Sequence, residues 1–190
     1  MKYLIFLCGL FLTLHISNTY AQSPGSDKFK KQFLELINRT RAVGCDCGST
    51  HMPPAPPLVW NDDLEKAAKA HAKDMASKKY FSHISKNGHD AMNRAEDAGY
   101  KHDGYQSFTV GENIAQGQTS IEQVTDGWFH SEGHCRNLMN PDFKEVGIWV
   151  TNLYWVQDFG GRTEFSAAMK QMIKSGKAKI MHSSTREVPR

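Results

Sequence analysis

Apolar side chains recur every three to four positions over residues 28–42, where Phe29, Phe33, Leu36 and Ile37 fall on one stripe. That spacing predicts an amphipathic helix. Ser26 and Asp27 supply a cap at its start, and Gly44 a stop at its end. A second stripe, Leu64, Ala68, His71 and Met75, runs from the caps Asn61 and Asp62 to about Lys79. Residues 90–98 make a short third helix stopped by Gly99. Ser120-Ile121-Glu122-Gln123 is a capping-box pattern. It opens a fourth helix with Ile121, Val124 and Trp128 inward and Gly133 at its end. The period then changes to two: Val146, Ile148 and Val150 share one face of a strand over residues 145–150. The turn Thr151-Asn152-Leu153 and the aromatic-rich stretch from Tyr154 to Phe159 complete a hairpin, and Ser107 to Val110 is a further strand. Residues 45–57, with their Gly and Pro, read as a loop. Helices around a short, mainly antiparallel sheet define an α+β layered domain.

The start of the chain stands outside this pattern. Lys2, the apolar run from Tyr3 to Leu14 and the small and polar residues ending at Ala21 predict a cleaved secretory signal over residues 1–21. The run is too short to cross a bilayer comfortably. Cys8 lies deep inside it after bulky Leu7, which argues against lipid attachment. The expectation is a secreted protein, extracellular or periplasmic, with no transmembrane span. Residues 22–162 form the domain, and residues 163–190 a basic tail with one helical stretch from Phe165 to Ile173. The formal net charge is +3, but the tail concentrates Lys170, Lys174, Lys177, Lys179, Arg186 and Arg190 against Glu164 and Glu187. The domain itself is therefore not basic, which argues against nucleic acid as a partner.

Export favours disulfides. Beyond the signal the chain keeps Cys45, Cys47 and Cys135, an odd number, so one bridge and one free thiol is the simplest count. Cys45 and Cys47 are too close to bridge each other easily, so Cys135 takes one of them. A structural zinc site normally uses four ligands in paired spacing, which Cys-x-Cys with one distant Cys matches poorly.

His83, Glu112 and His134 are the residues that could carry chemistry. His83 follows the second helix, His134 follows the fourth, and Glu112 lies in a Gly-flanked segment between them in sequence. Two neutral imidazoles and an open position suit a divalent metal such as zinc. A nearby carboxylate can orient an imidazole or act as general base on metal-bound water. No His-Glu-x-x-His motif is present, and the plain alternative is that each histidine is a hydrogen-bonded structural residue. His71, on a buried stripe, reads as a core residue, and His130 is the other histidine near His134. Ser82 and Ser131 stand near histidines without a Gly-x-Ser-x-Gly elbow. A bridged Cys135 is no nucleophile. Asn113 and Asn137 read as residues that fix backbone.

An ordered set of motifs across residues 28–160 resembles the CAP superfamily, the SCP-like group of cysteine-rich secretory proteins, antigen 5 and pathogenesis-related class 1 proteins, in its short bacterial-type branch. The set comprises Asn38-Arg39-Thr40-Arg41, Pro57-Leu58-Val59-Trp60-Asn61, His71 with Asp74-Met75, and Phe81-Ser82-His83. It continues with Arg94 and Ala98-Gly99-Tyr100, Gly111-Glu112-Asn113-Ile114-Ala115, Trp128, and residues 131–134. Asn137-Leu138-Met139-Asn140-Pro141, Val146-Gly147 and residues 154–159 complete it. The resemblance implies an α–β–α sandwich with a large cleft. It matches His83, Glu112 and His134 to three members of a two-histidine, two-glutamate tetrad. The fourth position is Ser131 here; the adjacent Glu132 would stand about 100° around a helix. The resemblance also favours Cys47, which precedes Gly48, as the partner of Cys135. It implies a monomeric binding module whose cleft, lined by His83, Glu112, Ser131, Glu132 and His134, holds a divalent metal such as Zn2+, or a lipid, sterol or cell-surface component. The alternative is a metal-dependent hydrolase with His83 and His134 as ligands and Glu112 as general base.

Overall fold

Helix α1 (Asp27–Val43) turns Phe29, Phe33 and Ile37 into the core, and its start is capped by Ser26, whose Oγ accepts from the Phe29 amide. The computed structural model describes residues 23–180; the expected signal segment and the end of the tail lie outside the described residues. The stretch read as a loop after α1 holds a small hairpin, β1 (Cys45–Cys47) with β2 (Thr50–Met52), before the short strand β3 (Val59–Trp60). Helix α2 (Asp62–Lys78) is capped by Asn61, and α3 (Ala91–Ala98) by Asp90 and Gly99.

Strand β4 (Tyr105–Gln116) is much longer than its alternation predicted and contains Glu112. Helix α4 (Ile121–Phe129) ends early at His130. A separate helix, α5 (Glu132–Met139), begins at Ser131, so Gly133 lies inside a helix and His134 sits in its first turn, where the sequence placed a helix end. Strands β5 (Glu145–Thr151) and β6 (Tyr154–Glu164) form the expected hairpin. Asn152 and Leu153 both take positive φ, 47° and 63°, as a two-residue turn between right-twisted strands demands. The tail opens with α6 (Ala167–Lys174), which buries no residue.

The four-stranded sheet has the order β3-β5-β6-β4, antiparallel except where β3 joins β5. On one face Phe29, Phe33, Trp128 and Leu138 of α1, α4 and α5 pack on Ile148, Trp155 and Phe159. On the other, Ala68, Ala72 and Met75 of α2 pack on Ile114 and Val156, with Ala95 and Tyr100 alongside Leu64. The result is an α+β sandwich, helices on both faces of one sheet.

The sequence ended the last strand before Gly160-Gly161, yet β6 continues through both. A Cβ at Gly160 would stand 2.3 Å from the Tyr100 hydroxyl, and one at Gly161 2.1 Å from the Asp142 carbonyl oxygen. The glycines mark close approach of other groups to a continuing strand.

Candidate functional site

Glu112 stands opposite Asp158 in the register of β4 and β6, and Asp158 stands opposite Gly147 of β5. Directly paired residues share a face of a sheet. That face is the one under α2: a Cβ at Gly147 would lie 2.0 Å from the Glu65 amide nitrogen, so the helix backbone rests on the sheet there. This close seating buries the Glu112 carboxylate beneath α2 and α3.

Both of its oxygens are taken. Oε1 accepts a 2.7 Å hydrogen bond from His83 Nδ1, and Oε2 accepts from Arg94 Nη2 at 2.5 Å. Arg94, a buried residue of α3, also donates from Nη1 to the carbonyls of His83 and His89, at 3.0 and 2.8 Å, and to Ser85 Oγ at 3.0 Å. One guanidinium therefore neutralises Glu112 and ties down the loop that carries His83.

The partners fix the histidine tautomers. A carboxylate only accepts, so His83 donates from Nδ1 and its neutral ring keeps a lone pair on Nε2. His71 is fully buried; its Nε2 donates to the Ser82 carbonyl at 2.9 Å, and Ser85 Oγ lies 3.2 Å from Nδ1, placed to donate to it. Burial holds the His71 pKa below the usual imidazole value. For Glu112, burial works to raise the pKa, but the His83 hydrogen bond and the charge of Arg94 outweigh it and hold the carboxyl below its ordinary range.

Asp158 is the opposite case. It is fully buried, no donor reaches either oxygen, and burial together with the Glu112 charge pushes its pKa well up. Burial and the adjacent Glu112 charge both favour its protonated form. Asp158→Asn keeps the shape and provides a permanent N–H donor. Above the unfolded-state value of about 3.8, the native chain holds one proton that the unfolded chain has lost, so this site costs stability as pH rises. The variant is expected to be more stable than the parent at pH 7, with the difference fading towards pH 4. Paired urea titrations across that range measure it; a difference that does not change with pH would show that Asp158 is ionised throughout.

His134 reaches the same region from α5. Asn137 of that helix donates to the Glu112 carbonyl at 3.2 Å and to Asn113 Oδ1 at 2.9 Å, while Asn113 donates to the His134 carbonyl at 3.2 Å. The two asparagines fix the backbone of β4 to that of α5. His134 is half-buried, and burial, with the neighbouring His83, lowers its pKa. Ser131 is half-buried at the start of α5 and makes no capping bond with its side chain. Glu132 turns elsewhere: it is exposed, pairs with Arg136 at 2.6 Å and lies against Gly48.

The donor set open to a metal is thus two imidazoles. Among the described residues no group of three His, Cys, Asp or Glu ligand atoms gathers at the histidines; the one such group is formed by the cysteines. A metal held by His83 and His134 would complete its shell with water or a bound ligand. Sequence reasoning did not assign site roles to Arg94 or Asp158. A basic residue beside apolar Ala95 and Ala98 on a short helix, and an acid inside an apolar strand, were the available signals.

Residues 34–159 match the CAP family, described as the cysteine-rich secretory protein family. The chain belongs to this family. It is 31% identical over 153 residues to the uncharacterized protein YkwD of Bacillus subtilis (strain 168), covering 79% of this chain and 54% of that one. It is 34% identical over 102 residues to the uncharacterized membrane protein YlbC of the same organism, covering 54% of this chain and 28% of that one. The CAP chain therefore spans about half or less of the length of these curated relatives. Among solved structures it resembles an extracellular protein containing an SCP domain from Bacillus anthracis (strain Ames), with 28% identity and a TM-score of 0.55 over 73% of this chain and 44% of that one. An outer surface protein of Borrelia burgdorferi shares the fold, with 21% identity and a TM-score of 0.54 over 72% of this chain and 91% of that one. No helix among the described residues of the CAP protein is long and apolar enough to cross a membrane.

Proposed function

We propose that this CAP domain protein is secreted and works as a monomeric binding module, with the surface around His83 and His134 holding a divalent metal such as zinc together with a lipid, sterol or cell-surface ligand. The observation that carries this reading is the double engagement of Glu112. With one oxygen on His83 and the other on Arg94, the carboxylate orients an imidazole and is held below its ordinary pKa, which makes it a poor base towards water. A carboxylate behind a histidine is the usual support of a metal-ligating imidazole. Exposed Phe81 and Ile84 flank His83 and offer apolar contact to a ligand reaching it. The likeness to an extracellular protein and an outer surface protein, as those two are described, supports export. The metal-dependent hydrolase with Glu112 as base is the second reading; two imidazoles fall one short of the usual three protein ligands of catalytic zinc.

Zinc calorimetry on the chain without residues 1–21 tests both readings. One site per chain is expected, weakened at least tenfold in the double variant His83→Ala/His134→Ala. Glu112→Gln is expected to weaken it about 10–100-fold, the usual effect of removing such a support. Unchanged affinity in the double variant would remove the site. Metal-dependent hydrolysis that Glu112→Gln abolishes would establish the hydrolase in place of the binder.

A further inference from the structure

A different cluster of metal-binding side chains lies at the β1–β2 hairpin. Cys45 and Cys47 are two apart on β1 and so share a face. Cys135 of α5 meets them there. Cys47 is bridged to Cys135, and Cys45 is the free thiol. The Cys45 sulfur stands 3.7 Å from that of Cys135, and all three sulfurs lie within 4.8 Å of one another. The thioethers Met52 and Met139 pack around them, Met52 directly opposite Cys45 in the hairpin. The nearest imidazole in the hairpin, His51, belongs to the other face, where it bonds Asp46 at 2.7 Å. The side chains gathered on the sulfur side are thus mainly soft donors, with the Thr50 hydroxyl opposite Cys47 the exception.

These separations suit a shared metal, and the donor types decide which one. At a metal–thiolate distance of about 2.3 Å, sulfurs around one cation stand about 3.8–4 Å apart, whether in a tetrahedron or in a plane. The Cys45–Cys135 pair is already near that spacing, and opening the bridge moves Cys47 and Cys135 apart towards it. Zinc prefers four ligands in a tetrahedron, commonly thiolate and imidazole, and among the described residues no fourth donor of that kind joins the cluster. Thiolates and thioethers together select copper(I).

We propose that, once the Cys47–Cys135 bond is reduced, Cys45, Cys47 and Cys135 form a three-thiolate site for copper(I), with Met52 and Met139 shielding it. The reductant is a dithiol: it gives two electrons and two protons, leaves as its own disulfide, and releases Cys47 and Cys135 as thiols. Copper(I) then displaces thiol protons. The bridged and metal-bound forms exclude each other, because the sulfurs of a disulfide are not thiolate ligands. Half-buried Cys45 is the open side of an otherwise buried set, and so the point of entry.

The test uses the chain without residues 1–21, reduced by a dithiol, freed of it without oxygen, and titrated with copper(I) against a chromogenic copper(I) chelator. Zinc is titrated in parallel against a zinc indicator. The reduced parent is expected to withhold one copper per chain from the chelator, Cys45→Ser to hold it at least tenfold more weakly, and the bridged protein to hold none. His83→Ala/His134→Ala should bind copper as the parent does, so failure here is distinct from failure of the zinc site. Cys45→Ser keeps the bridge when oxidised, which checks its folding by circular dichroism. Copper should raise the Tm of the reduced parent and leave that of reduced Cys45→Ser unmoved. The proposal is overturned if the chelator strips the reduced parent, if Cys45→Ser holds copper equally well, if equimolar zinc displaces copper, or if the reduced chain is unfolded and copper does not refold it.

Discussion

Arg94→Ala is expected to destabilise the protein by about 3–5 kcal/mol, the cost of leaving a buried charge without its partner. Glu112 is an anion beneath α2, and Arg94 is its one permanent cation. His83 is half exposed and His71 is held neutral by burial, so neither replaces it. The same change frees the His83 and His89 carbonyls and Ser85 Oγ. The loop carrying His83 should loosen as well, so zinc affinity should fall together with stability. Arg94→Lys should recover only part of either, because a single ammonium cannot span Glu112 and three acceptors on the opposite loop. Urea unfolding at pH 7 gives the stability change. Protection of the residue 82–89 amides from hydrogen exchange reports the loop. A loss below 1 kcal/mol would mean that Glu112 is protonated in the native state, and the orienting role given to it would fail.

The elements with a strong, uninterrupted period were legible in the sequence. The stripes of α1 and α2 and the alternation of β5 gave those elements nearly to their ends. Local signals failed where a tertiary contact decided the outcome. Gly133 read as a helix stop because glycine is a poor helix residue, yet α5 is held by a disulfide and by Asn137, which propensity does not count. In sequence the strand before Glu112 ends at Val110, and Glu112 itself lies only in a Gly-flanked segment. Gly111 admits the Phe143 ring, which a Cβ would meet at 2.5 Å. Long pairing with β6 makes the whole segment a strand. The three candidate residues His83, Glu112 and His134 were visible as residue types and through the family likeness. What holds them was not: the Arg94–Glu112 and Glu112–Asp158 contacts are products of sheet register and helix seating, and no spacing rule encodes them.

Arg41 shows the same dependence on a larger scale, and Arg41→Ala is expected to cost about 3–5 kcal/mol. In sequence it closes the polar run Asn38-Arg39-Thr40-Arg41; in the structure it is fully buried. Nε donates to the Pro56 carbonyl at 2.7 Å, Nη1 to those of Leu138 and Asn140 at 2.6 and 3.1 Å, and Nη2 to that of Phe143 at 3.2 Å. Among the described residues no carboxylate pairs with it, and burial lowers its pKa to about 10. The compensation comes wholly from carbonyl dipoles at the end of α5 and in the two loops beside it. Alanine would strand four acceptors, each worth about 1–3 kcal/mol if unsatisfied, with water entering the vacated space recovering part of the loss. Arg41→Lys should remain well short of the parent, because one ammonium cannot reach three segments at once and deprotonates more readily when buried. Arg39→Ala, at an exposed position one turn-face away, should stay within about 0.5 kcal/mol. Denaturant midpoints for the three variants measure the order, and an Arg41→Ala loss no larger than that of Arg39→Ala would refute it. Leu138 and Asn140 end the helix that begins beside His134, so Arg41 anchors the far end of the element that positions one candidate ligand. Zinc affinity should therefore fall in Arg41→Lys even though residue 41 touches neither histidine.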